Sequence, residues 1–190
     1  MLNLRDSDSK LGRELVDFEI EGPFELYRTE HGLIDASAAT KRLYWEWVDE
    51  YQEGLSDACG CYIFVIKASG TAVPWYVGKA EKQSFRKECF APHKINHYNN
   101  AVASRRRGKP QLYFVPQVTK RGKYRKPTSS KRPAIAQLET LLLGMAISAN
   151  PEILNTHGTK WFQSLTVDGL VNSSMRRGGA SRELRRILKG

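Results

Sequence analysis

Two tyrosines set beside glycines and one isolated acid are the residues of this chain whose types and places suggest chemistry. Gly60-Cys61-Tyr62 and Tyr76-Val77-Gly78 belong to two runs rich in β-branched and aromatic residues. A glycine beside a strand tyrosine lets a ligand or another chain approach the backbone. Glu139 is the only charged side chain from Pro133 to Asn150, at the edge of an apolar arc formed by Ile135, Leu138, Leu142 and Ala146. A carboxylate placed there must be paired, must ligate a metal, or must be protonated. Each feature has a plain alternative: an amphipathic hairpin with its tyrosines half in the core, and a buried Glu–Arg structural pair.

Charge points to a class of partner. The 190 residues carry 30 Lys/Arg and 20 Asp/Glu, a net +10. Residues 1–58 hold 6 basic against 14 acidic side chains, which leaves 24 against 6 for residues 59–190. No acid falls between Glu88 and Glu139, while 12 Lys/Arg do. A solvated basic face is the ordinary explanation of such a run, but one so long and free of acids suggests a polyanion, with nucleic acid the favoured partner. The candidate contacts are Arg105, Arg106, Arg107, Lys109, Lys120, Arg121, Lys123, Arg125 and Lys126. No apolar run is long enough to span a bilayer, and Met-Leu-Asn-Leu-Arg-Asp is not a signal-peptide start, so a cytoplasmic protein with no membrane partner is expected. Cys59, Cys61 and Cys89 are too few for a disulfide framework and read as reduced structural thiols.

The elements that must position these residues follow from pattern. Residues 60–67 and 74–79 read as two strands joined by a loop of about six residues. Upstream, Val16–Glu21 alternates as a strand, with Phe24–Tyr27 pairing back on it. Asp35 or Ser37 then caps a helix whose packing face is Leu43, Tyr44, Trp47, Val48 and Tyr51. Helices are expected over 81–90 and 94–104, and a strand over 111–118, where Pro116 marks an edge or a bulge. Residues 119–131 are expected as a basic loop, mobile unless a polyanion orders it. Pro133 opens a long helix that Asn150-Pro151 ends, and Ser181 caps a basic terminal helix carrying Arg182, Arg185, Arg186 and Lys189. The organisation is an acidic extension over 1–57, a body over 58–157 and a basic element over 158–190.

Gly60-Cys61-Tyr62, Tyr76-Val77-Gly78, Arg86, Glu139 and Asn155, in that order, resemble the GIY-YIG nuclease family over roughly half of the chain. Arg86 follows Tyr76 by ten residues as the family's arginine does, and Lys79 follows the second triplet as in the excision-repair branch. Two departures stand out. The tyrosines lie further apart than usual. Phe90 occupies the place, one turn after the arginine, where the family often has His or Tyr; His93, His97 and Tyr98 are the candidate substitutes for proton transfer.

The resemblance implies a small α/β domain with a mostly antiparallel central sheet flanked by helices, here with N- and C-terminal extensions. It implies a metal-dependent endonuclease acting on nucleic acid, with double-stranded DNA the expected substrate. Glu139 would hold one Mg²⁺ or Mn²⁺, for which a single carboxylate plus waters and phosphate oxygens suffices. Arg86 would clamp the scissile phosphate and Lys79 would add a second positive charge or assist the base. Tyr62 and Tyr76 would position or deprotonate the attacking water, cations nearby lowering their pKa. Asn155 would hold the geometry, and Gly60 and Gly78 would be site backbone. Two other readings stay open: a nucleic-acid-binding protein that keeps this fold without cutting, which Phe90 and the longer hairpin favour, and a basic RNA- or ribosome-associated protein.

Overall fold

The computed structural model describes residues 16–104, 108–155 and 179–189, with Thr159, Ser164 and Thr166 in addition. The basic run Arg105–Arg107 lies outside the described residues.

Four strands in the order β1 (Asp17–Phe18), β5 (Lys109–Val118), β3 (Gly60–Ala68) and β4 (Thr71–Ala80) form an antiparallel sheet, with β2 (Glu21–Glu25) also on β5. The β3–β4 hairpin turns on Ser69 and Gly70 alone, both at positive φ (49° and 83°), so the strands run further than their composition suggests. Two consecutive residues of that kind suit a turn whose twist matches the strands. The register shifts between the Phe64–Tyr76 and Val65–Pro74 pairs, leaving Trp75 as an extra residue. This bulge lets the edge strand β4 accommodate Pro74.

β1 and β2 do not pair with each other; both lie on β5, which is therefore central and not an edge. Its prolines are tolerated by parity. Pro110 and Pro116 turn their carbonyls to Leu26 N (2.8 Å) and Glu19 N (3.1 Å), so their missing N–H groups face the short outer strands. The ladder to β3 stays complete from Gly60 to Lys67.

Helices cover both faces. On one lie α1 (Ala38–Tyr51), α2 (Phe85–Glu88) and α3 (Pro92–Ser104), whose core joins Phe24, Tyr44, Trp45 and Val48 to Tyr62, Phe64, Phe85, Tyr98 and Phe114. The segment 16–57 thus shares its core with the body. Ser37 caps α1, its Oγ accepting from Thr40 N, while Asp35 accepts from Ser37 N and the Thr40 hydroxyl. The buried face of α1 is Tyr44, Trp45 and Val48; Leu43, Trp47 and Tyr51 are exposed, although the last two place ring edges on Phe24. The helix expected over 81–90 is reduced to α2.

The opposite face carries α4 (Pro133–Ala149), packed through Ile135, Leu143, Ala146 and Ile147 on Cys61, Val77 and Val115. Asn150 ends it, donating to Pro74 O (2.8 Å) and accepting from Glu152 N (3.1 Å). A last helix, α5 (Gly179–Lys189), begins two residues before Ser181, which therefore lies inside it. The loop after β5 is built as a tight turn, Thr119 N donating to Lys123 O and Gly122 N to Thr119 O. No helix among the described residues is long and apolar enough to cross a membrane.

Candidate active site

Side chains from four separate parts of the chain converge on Tyr76-Val77-Gly78-Lys79 of β4. Lys94 of α3 donates to the Tyr76 hydroxyl (2.6 Å). Asn155, in the segment after α4, accepts from Val77 N (2.9 Å) and donates to Val77 O (2.6 Å). Tyr62, across the β3–β4 ladder from Gly78, lays its ring over that residue. Glu139 of α4 pairs with Lys79 Nζ (2.7 Å).

Strand alternation divides these contacts between two faces. Tyr62, Tyr76 and Gly78 belong to the α1/α3 face, while Val77 and Lys79 belong to the α4 face. The carboxylate and the two tyrosines, expected in one pocket, are therefore separated by the sheet. They border a common boundary, because β4 is an edge strand. Asn155 imitates a neighbouring strand there, taking both backbone groups that Val77 turns outward. Lys79, two residues on, turns its own backbone outward in the same direction.

On the α3 face a buried polar network surrounds Tyr76. Lys94 is 8% exposed and holds the Tyr76 hydroxyl and Glu88 (3.2 Å) together. Burial pulls its pKa down, but the hydrogen bonds and charge of Tyr76 and Glu88 outweigh that pull, so the ammonium is retained. His97 stacks on the Tyr76 ring (centroids 5.0 Å apart), its pKa lowered by burial and then by Lys94 and His93, so it is neutral at pH 7. Tyr98 stacks on Phe64 (4.3 Å) and His93 is exposed. Of the three candidate proton-transfer residues His97 and Tyr98 meet the Tyr76 ring, Tyr98 edge-to-face at 6.2 Å between centroids, while the hydroxyl is bonded to Lys94.

Lys94 and Glu88 were not singled out in the sequence. The available signal was Lys94 at helical spacing from His97 and Tyr98, on the side of α3 that meets the sheet. Phe90, where the resemblance would place His or Tyr, is packed against the Tyr44 and Trp45 rings.

Tyr62 is fully buried, and its hydroxyl has no hydrogen-bond partner among the described residues. Burial pushes its pKa well above that of a free phenol, with Tyr98, Cys89, Tyr76 and Glu88 adding to the shift. The expected lowering by nearby cations is overturned, because the groups around Tyr62 are apolar or acidic. Both motif glycines make room for protein. A Cβ on Gly78 would stand 2.5 Å from the Tyr62 hydroxyl oxygen and closer still to Cζ, while one on Gly60 would collide with the Val115 carbonyl of β5.

On the α4 face, Glu139 keeps about a quarter of its side chain exposed. Lys79 takes Oε2, and Oε1 has no hydrogen bond among the described residues. Burial lowers the Lys79 pKa, the Glu139 hydrogen bond and charge raise it, and the net shift is upward. No group of three His, Cys, Asp or Glu side chains is gathered among the described residues. One hard carboxylate with a free oxygen fits a magnesium-like ion, which keeps most of its waters and takes further ligands from phosphate.

Arg86, the expected phosphate clamp, is turned to α1. It donates to Asp49 (2.8 Å) and Ser56 Oγ (2.6 Å), and Asp57 lies 3.9 Å away. Asp49 in turn accepts from Ser56 N and Oγ. Of the basic candidates, Lys109 pairs with Glu25 (3.2 Å); Lys120, Arg121, Lys123 and Lys126 are exposed, and Arg125 is half-buried. No protein-family model, curated protein or solved structure matches this chain, and the residues and their geometry alone carry the functional reading.

Proposed function

We propose that this chain is a metal-dependent endonuclease of the GIY-YIG type, hydrolysing phosphodiester bonds in cytoplasmic DNA along the outer edge of β4. The observation that supports it is the convergence of Tyr62, Lys94, Glu139 and Asn155, more than ninety residues apart in sequence at the extremes, on the four residues Tyr76–Lys79.

In the reaction water forms a bond to phosphorus, the opposite P–O ester bond breaks, and the departing oxygen gains a proton. Glu139 would hold Mg²⁺ or Mn²⁺, and the ion when bound would supply Lewis-acid stabilisation of charge on the phosphate. Lys79, paired with Glu139 in the free protein, moves its ammonium to a phosphate oxygen as substrate arrives. Tyr76 is the tyrosine suited to proton transfer, because the Lys94 ammonium supports charge that develops on its oxygen. Tyr62 stays a neutral phenol that fixes the spacing of β3 and β4. Asn155 keeps the outer backbone of Val77 from pairing with anything else.

The test is a supercoiled plasmid and a short duplex incubated with Mg²⁺ or Mn²⁺, using wild type and Glu139→Gln. Cleavage by wild type alone, with duplex binding retained in both, is the expected result. A second reading, binding without cleavage, is favoured by the sheet standing between the carboxylate and the tyrosines. Binding without cutting by the wild type, with either metal, selects it.

A further inference from the structure

We infer that a second phosphate-binding site lies at the N-terminus of α4, taking a backbone phosphate of the same nucleic acid; it rests on the nucleic-acid reading above. A cleft of about 280 Å³ opens there, lined by Lys120, Arg125, Lys131 and Arg132 together with Pro133. The one carboxylate lining it is Asp17. Four cations facing one acid in a small concavity repel each other unless an anion enters.

Among the described residues none of the four forms an ion pair. The Arg132 guanidinium is held in place by neutral acceptors, Gln117 Oε1 (3.0 Å) and Lys126 O (3.0 Å), so its position is fixed without an ion pair. The Nε atoms of Arg125 and Arg132 are both shielded from water and lack an acceptor. Such groups are costly to leave unmet and gain from an anion near the guanidinium.

The first turn of α4 has no acidic residue, and Glu81 Oε1 already accepts from the N–H of Arg132 at that end, so the attraction for a further anion comes from the side-chain cations of the cleft.

Place in the fold gives the site its meaning. The backbone N–H of Arg132 is bonded to Glu81, two residues beyond Lys79. Glu139 lies six residues along α4 from Pro133, about 9 Å down the helix axis. A phosphate in the cleft would sit a nucleotide or two from one held at Lys79 and Glu139, so the cleft sets the register of the strand being cut.

Lys120 and Lys131 are exposed and make no contact that the fold needs, so Lys120→Gln/Lys131→Gln isolates the charge. Binding of a labelled duplex would be measured against salt in EDTA, beside a Lys67→Gln/Lys87→Gln control. The slope of log K against log salt should fall by about 1.8, or 0.9 for each lost phosphate contact, which is a roughly 60-fold loss at 0.1 M salt. The control should keep the wild-type slope. Wild type that binds and cuts, with a slope the Lys120/Lys131 change leaves alone, overturns the cleft and spares the nuclease. A reduced slope in a protein that never cuts keeps the cleft and removes the nuclease. Wild type that binds no duplex removes both.

Discussion

Replacing Lys94 with methionine tests whether the buried network holds the hairpin to α3. The substitution keeps the length of the side chain and removes its charge. It would leave the Glu88 carboxylate, nearly as buried as Lys94, with Gln83 as its remaining hydrogen-bond partner, and the Tyr76 hydroxyl with none among the described residues. Removing one partner of a buried ion pair costs about 3–5 kcal/mol, and truncation here should fall near the lower end because Gln83 still reaches Glu88. For a chain of this size that is a drop in Tm of roughly 6–12 °C. Because the Lys94 pKa is raised in the fold, its contribution is complete below the unfolded value of about 10.4 and is lost as pH rises through the folded value. The gap between wild type and Lys94→Met, followed by urea unfolding, should therefore be constant from pH 6 to 9 and shrink above about pH 10.5. Adding Glu88→Gln should recover much of the loss, giving a coupling of about 1–3 kcal/mol in a double-mutant cycle. A Lys94→Met protein within about 0.5 kcal/mol of wild type, or with no coupling to Glu88, would refute the pairing.

Two further substitutions address the convergence on β4. Gly78→Ala should cost about 1–3 kcal/mol in urea unfolding, because its Cβ would meet the Tyr62 ring, which has no free space to move into. A Tyr62→Phe background should not relieve it, since Cζ remains the closest atom. Asn155→Ala removes two hydrogen bonds from Val77 and should cost about 1–3 kcal/mol, with faster amide exchange at Val77 than at Ile63 on the covered neighbouring strand.

The parts of this fold that were legible in the sequence are those fixed by local chemistry. The two hairpin strands, the strand of Leu112 and Phe114, and the helix opened by Pro133 each carry their signal in a few adjacent residues. The Ser37 cap is of the same kind. Pairing of strands distant in sequence was not legible, which is why β1 and β2 were expected on each other and not on β5. The face of α1 was misread by one position, because Trp45 and Trp47 are both apolar and only the phase of the helix tells which is buried. The separation of the candidate site could have been read from period two alone. Tyr76 and Lys79 are three apart on one strand and must point to opposite faces, so a carboxylate reaching Lys79 cannot also face Tyr76. Lys94 was hidden for another reason: a lysine in a polar helix reads as solvated until the strand it meets is known.

The charge imbalance along the chain decides which side of the sheet a polyanion can approach. Asp49 and Asp57, from the acidic segment, close around Arg86 on the α1 face. The arginine expected to clamp phosphate is thus neutralised within the fold. The α4 side bears Lys79, whose partner is a lone carboxylate, and, where α4 begins, the cluster of Lys120, Arg125, Lys131 and Arg132, which forms no ion pair among the described residues. On the nucleic-acid reading proposed above, this field would guide the substrate to the α4 side and the outer edge of β4, where Lys79 turns its backbone. Neutralising Asp49 would release Arg86 but would not move the path of approach, because the cations that set it lie across the sheet.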